Sequence, residues 1–129
     1  MNILIVDDTA LDRNMIERLL AAEGHVTITA SSGLDALGML ADNPNLDVAI
    51  CDLIMPDIDG IEVFKRYQKR RETVKEATKT KPIPFILLSA TQSVGRLKYA
   101  KDIGFFDIIT KPVDYKRLRA AIARIEGRK

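Results

Sequence analysis

Five short apolar runs recur along the chain: Ile3-Leu4-Ile5-Val6, Val26-Thr27-Ile28, Val48-Ala49-Ile50-Cys51, Phe85-Ile86-Leu87-Leu88 and Phe106-Asp107-Ile108-Ile109. Each is strand-sized, and the uninterrupted ones suit strands buried on both faces, as in a parallel sheet. Between the runs, apolar residues fall three and four apart: Ile16, Leu19 and Leu20; Leu34, Leu37 and Leu40; Ile61, Phe64 and Tyr67; and Leu118, Ile122 and Ile125. That spacing draws one apolar stripe along a helix. The boundaries agree with this division. Thr9-x-x-Asp12, Ser32-x-x-Asp35 and Asp59-x-x-Glu62 each set a capping side chain three residues before a carboxylate, and Asp114 can cap the last helix. Strand and helix alternate five times, which predicts right-handed crossovers and a parallel sheet covered on both faces: an open, doubly wound α/β fold.

At 129 residues the chain is long enough for one domain, expected to span 1–129, and 47% hydrophobic residues allow it a sizeable core. No apolar run approaches the length of a membrane span, and Met1 leads straight into the first strand, so a cytoplasmic location is expected. One cysteine and one histidine rule out a disulfide framework and a clustered Cys/His metal site; any metal must be held by oxygen. The net charge of +2 is unevenly spread: residues 65–81 carry a local +6, which leaves −4 on the remainder. A charge this small predicts no chain-wide binding to nucleic acid. The basic stretch reads first as a solvated face, with an acidic partner, nucleic acid or an anionic membrane as the sharper alternative.

Polar groups gather where the apolar runs end: Asp7-Asp8 after the first, Asp52 after the third, Ser89-Ala90 after the fourth, Thr110-Lys111-Pro112 after the fifth. In open α/β sheets ligands bind outside the carboxyl ends of the strands, so these residues are expected to converge. Three carboxylates about 4 Å apart would repel by roughly 4 kcal/mol per pair at an effective dielectric near 20, and Lys111 supplies only one compensating charge. A divalent cation resolves the deficit, and an all-oxygen donor set points to Mg²⁺. Carboxylates, a hydroxyl, a lysine and a hard cation are the parts of phosphoryl transfer onto a carboxylate. Composition and spacing leave open which aspartate attacks.

Asp7-Asp8 closing the first strand, Asp52-Leu53-Ile54-Met55-Pro56 with Asp59-Gly60, Ser89-Ala90 and Lys111-Pro112 together resemble the receiver domain of two-component response regulators, the CheY-like family. The resemblance covers essentially the whole chain and implies a five-stranded sheet of order 2-1-3-4-5. It implies that Asp52 accepts a phosphoryl group from a histidine kinase or phosphotransfer protein. By the same resemblance Asp8, Asp52 and the Ile54 backbone carbonyl would hold Mg²⁺, with Asp7 acting mainly through water. Lys111 would contact the phosphoryl oxygens, and Ser89 would move to hydrogen-bond them.

Departures from the family pattern carry their own expectations. Ile108 stands where an aromatic switch residue is usual, and its stiff β-branched side chain cannot rotate as an aromatic would. Phe105-Phe106 follow Gly104, either packed beneath helix four or exposed to a partner. Ile54 and Thr91 offer no carboxylate or amide to orient water, which predicts slow self-dephosphorylation. On helix one, Leu11, Met15 and Arg18 form a stripe separate from the Ile16-Leu20 stripe, the family's kinase-facing side, although core packing of Leu11 and Met15 is an equal reading. The family's output face, helix four with strand five and helix five, would carry Arg96, Lys98, Tyr99, Lys101, Lys116 and Arg119 toward a downstream protein or the chain's own output domain. Cys51 reads as a small buried hydrophobe and His25 as an exposed edge residue. Two rival functions remain: a haloacid-dehalogenase-type phosphohydrolase, whose Asp-x-Asp loop is missing, and a degenerate receiver serving only as a scaffold. The chain stops soon after its last helix, so a stand-alone receiver and one excised from a longer protein are both expected readings.

Overall fold

A computed structural model describes residues 1–74, 80–90 and 92–128. Five strands alternate with five helices: β1 Asn2–Val6, α1 Ala10–Ala22, β2 Val26–Ala30, α2 Gly33–Asp42, β3 Val48–Asp52, α3 Gly60–Thr73, β4 Phe85–Ser89, α4 Val94–Ile103, β5 Asp107–Thr110 and α5 Tyr115–Glu126. The strands form one parallel sheet in the order β2-β1-β3-β4-β5. The central strands β3 and β4 are buried along their whole length, as their unbroken apolar runs require, whereas the edge strand β2 is not.

Alternation along each strand divides the core in two. Leu4, Val6, Ala49, Cys51, Phe85 and Leu87 face α2, α3 and α4, meeting Ala36, Leu40, Val63, Phe64, Tyr67 and Ala100. Ile3, Ile5, Val48, Ile50, Ile86 and Leu88 face α1 and α5, meeting Ile16, Leu20, Leu118, Ile122 and Ile125. Phe105 belongs to the first layer, where its ring lies 4.4 Å from that of Phe64 and 6.1 Å from that of Phe85. Such pairs contribute about 0.5–1.5 kcal/mol each beyond area burial. Phe106 turns to the other layer and lies beneath the Arg124 and Arg128 guanidinium groups. Gly104 closes α4 at φ 118°, a left-handed position that a side chain would strain.

Several expectations need correction. Leu34 is not part of the core stripe of α2: it is 55% exposed, because the buried line of the helix runs through Gly33, Ala36 and Leu40 and leaves Leu34 on its flank. β5 begins at Asp107, one residue later than expected. His25 is half-buried rather than exposed, with Nδ1 accepting from the Met1 amino group at 3.0 Å. Ser32, Asp59 and Asp114 cap their helices through the side chain, but Thr9 does not. Of the basic stretch, residues 75–79 lie outside the described residues.

Candidate functional site

The ends of three strands deliver the charged groups to one place. Asp7 follows β1, Asp52 closes β3 and Lys111 follows β5, and residues as far apart in sequence as Asp7 and Lys111 meet directly. Lys111 Nζ donates to Asp7 Oδ2 at 3.0 Å, to Asp12 Oδ2 at 3.1 Å and to Asp52 Oδ2 at 3.0 Å. Oxygens of Asp7, Asp8 and Asp52 lie within 4.8 Å of one another; Asp7 and Asp52 are buried and Asp8 is exposed. The backbone fixes this arrangement. The Asp7 N–H donates to the Ala30 carbonyl, the Thr9 N–H donates to Asp7 Oδ1 at 2.9 Å, and Arg13 Nη1 donates to the Asp7 carbonyl at 2.7 Å. Lys111 N–H donates to the Ser89 carbonyl at 2.8 Å, tying β4 to β5 at the same edge. Ser89 is buried and pairs in register with Thr110, one step beyond the Asp52–Leu88 pair.

The charges explain the shifts in protonation. Burial pushes the Asp52 carboxyl upward, and repulsion from Asp7 adds to this; the Lys111 ammonium and the Ile54 N–H pull it back without cancelling the rise. Burial works against the charge of Lys111, but bonds to Asp52 and Asp7 outweigh it and hold the ammonium above its ordinary value. Cys51 stays a thiol: burial first, then the neighbouring aspartates, push its ionisation far upward, so it behaves as the small hydrophobe expected.

The loop after β3 is held on both sides. Gly60 N–H donates to the Leu53 carbonyl, and Asp59 caps α3 with one oxygen while the other accepts from Arg96 Nη2 of α4 at 2.9 Å. Asp57 accepts from the Gly33 and Leu34 N–H groups at 3.0 and 2.8 Å, thereby capping α2 from outside it. These donors hold the Asp57 carboxyl down at about 2.

Of the residues expected at the sheet edge, Asp7, Asp8, Asp52 and Lys111 come together, and Ser89 ends the neighbouring strand β4. Two more join them that the sequence pattern does not single out, Asp12 and Arg13. The pattern Thr9-x-x-Asp12 assigns Asp12 to a helix cap, yet its carboxylate reaches Lys111 instead, and its place in the first turn of α1, just after Asp7-Asp8, is the signal that points to the site. Leu11 and Met15 are 68% and 46% exposed, which removes their core reading, and Arg18 is exposed as well. Ile108 is half-buried against the α2–α3–α4 layer. The basic character of α4 and α5 is partly neutralised, by Arg96–Asp59, Lys98–Asp102 and Arg119–Glu23 pairs. Thr91 lies outside the described residues.

A parallel 2-1-3-4-5 sheet with an acidic pocket and a lysine at its carboxyl edge defines a class, and comparison with known proteins names it. The family model described as response regulator receiver domain matches residues 3–123. The rice two-component response regulator ORR3 (Oryza sativa subsp. indica) is 35% identical over 112 residues, which cover 87% of this chain and 80% of that protein. The Regulator of RpoS of Escherichia coli (strain K12) is 30% identical over 93% of this chain and 33% of its own length. Among solved structures, the Francisella response regulator 1452 receiver domain superposes with a TM-score of 0.84 at 28% identity, covering 98% of this chain and 97% of that one. A chain of the CheX-CheY-BeF3-Mg+2 complex from Borrelia burgdorferi gives 0.81 at 26% identity, over 97% and 88%. The chain belongs to the response regulator receiver domain family, a signalling domain of two-component systems rather than a classical enzyme. Among the described residues no helix is long and apolar enough to cross a membrane.

Proposed function

We propose that Asp52 is the phosphoacceptor of this receiver and that Lys111 and Ser89 bind the phosphoryl oxygens. The observation that carries this reading is the buried Asp52 carboxylate held 3.0 Å from the Lys111 ammonium at the carboxyl edge of the sheet. An Asp52 oxygen attacks the phosphorus of a phosphohistidine on a histidine kinase or phosphotransfer protein. The O–P bond forms as the P–N bond breaks, and the departing imidazole takes up a proton. Lys111 offsets the negative charge gathering on the phosphoryl group, and Ser89 supplies a hydroxyl donor from the end of β4.

The donor set suits Mg²⁺: three carboxylates within one ion's reach, all hard oxygen. Asp8, Asp52 and the Ile54 backbone carbonyl would hold the ion, with Asp7 contributing through water. When bound, Mg²⁺ would neutralise the acidic pocket and orient the phosphoryl oxygens. The stripe of Leu11, Met15 and Arg18 is the surface for the phosphodonor, and α4, β5 and α5 face the downstream partner. On this reading the protein acts in the cytoplasm beside that donor. With Ile54 offering no group to orient water, the phosphorylated form decays slowly.

Incubation with acetyl phosphate and Mg²⁺ tests the assignment. Intact mass should rise by one phosphoryl group and should not rise in Asp52→Asn; an unchanged wild-type mass, or equal labelling of the variant, would sink it. Multiple turnover of phosphoesters would point to a hydrolase instead.

A further inference from the structure

Lys111 has no hydrogen to spare. An ammonium offers three N–H donors, and Asp7, Asp12 and Asp52 take one each at 3.0–3.1 Å. A phosphoryl group arriving on Asp52 can bond to Lys111 only if one of these acceptors lets go. Asp7 is a poor candidate, because its side chain is wholly buried and is held a second time by the Thr9 N–H. Stripping the cation from a buried carboxylate is costly. Asp52 carries the new group and stays beside it. Asp12 remains: its side chain is 35% exposed on the first turn of α1, so release into water costs little. The helix start does not call it back either, since the Thr9 side chain makes no cap with which a carboxylate at this position would pair.

We propose that Asp12 is a placeholder on Lys111: it occupies the third ammonium donor in the unphosphorylated chain and gives it up to the phosphoryl group on Asp52. This inference rests on the receiver reading above. Asp12 is therefore a positioning residue that acts through Lys111, and it opposes anion binding instead of assisting it. On release its carboxylate meets a strongly anionic phosphoryl group and turns outward. Its neighbours there are Leu11 and, three residues on, Met15, both exposed. Phosphorylation thus adds a free negative charge to the stripe on which the donor protein docks, which favours departure of the spent donor.

The measurement is beryllofluoride binding at saturating Mg²⁺, followed by amide NMR shifts, for the wild type, Asp12→Asn and Asp12→Ala. Asparagine removes the charge but keeps an acceptor for Lys111; alanine removes both. The half-saturating concentration should fall about two- to fivefold in Asp12→Ala, the range of a partly exposed ion pair, and by less in Asp12→Asn. In the wild type the Asp12 carboxyl carbon resonance should move on loading, and this readout needs no variant at all. Equal gains in the two variants would reduce the effect to a lost charge and overturn the placeholder. So would weaker or unchanged binding in Asp12→Ala, or an Asp12 resonance that does not move. A wild type that binds no beryllofluoride would instead bring down the receiver reading, and this inference with it.

Discussion

Gly60 is the first residue of α3, and its surroundings set up a contest between two effects of known size. A methyl group placed there would lie 2.4 Å from the Asp52 carbonyl oxygen, 3.1 Å from its carbon and 3.1 Å from Leu87 Cδ1. Carbon–oxygen contacts ordinarily begin near about 3.3 Å, so the end of β3 and the start of α3 must part by about 0.9 Å. In favour of Gly60→Ala stands alanine's helix propensity, about 1 kcal/mol. Against it stands overpacking, typically about 1–3 kcal/mol. The obstacle here is backbone, which is also pinned by the Gly60 N–H to Leu53 hydrogen bond, and not the tip of a flexible side chain. The clash wins, and urea denaturation should show a net loss of about 1–2 kcal/mol. The displaced atoms belong to Asp52, the proposed phosphoacceptor, and a shift of about 1 Å can cost on the order of 100-fold in rate, so labelling by acetyl phosphate should slow at least about tenfold. Gly38 is the control: it lies in α2, where an added methyl group would meet nothing within 4 Å, so Gly38→Ala should gain about 0.5–1 kcal/mol from propensity alone and leave labelling unchanged. A Gly60→Ala variant as stable and as readily labelled as the wild type would refute the close-approach reasoning.

Three further outcomes follow from the site's charge. The folded chain holds the Asp52 carboxyl above its unfolded value, so ionised Asp52 opposes folding at neutral pH, and stability should rise as pH falls through the folded value. Asp52→Asn should then be more stable than the metal-free wild type at pH 7, by about 1 kcal/mol once the Lys111 attraction has offset most of the burial cost, and should lack that acid-side gain in urea titrations. Asp57 has the opposite sign. Held down to about 2 from 3.8, it stabilises above pH 3.8 and loses that contribution on acidification, so thermal melts of Asp57→Ala should fall below wild type at pH 7 and converge with it between pH 3.8 and about 2. Mg²⁺ at a hundred times its dissociation constant should stabilise the wild type by about 2.7 kcal/mol, an increment that EDTA reverses and that Asp8→Asn largely abolishes in the same melts.

The sheet and its two covering layers were legible because strict alternation in short apolar runs is a local signal. Ile3 and Ile5 against Leu4 and Val6 declare two faces before any partner is known, and the structure sorts them into two separate cores. The residues that end those runs were legible for a related reason: a parallel sheet puts every carboxyl end on one edge, so position along the chain fixes position in space. What failed were residues whose role is set by a group far away in sequence. Leu34 satisfied the spacing of a helix stripe, but the helix is rolled so that Gly33, Ala36 and Leu40 are buried, a choice made by the layer it packs on and not by its own spacing. Asp12 satisfied a capping pattern with a partner three residues away, yet it binds a lysine 99 residues distant. Local rules predict a partner within reach of a few residues, but the Thr9 N–H that a capping carboxylate would accept from is already held by Asp7 Oδ1, and the half-buried Lys111 ammonium gives Asp12 a charge-assisted partner instead. At the start of α1 the reciprocal cap that the pattern offers thus gives way to two contacts with the site, Thr9 N–H to Asp7 and Asp12 to Lys111.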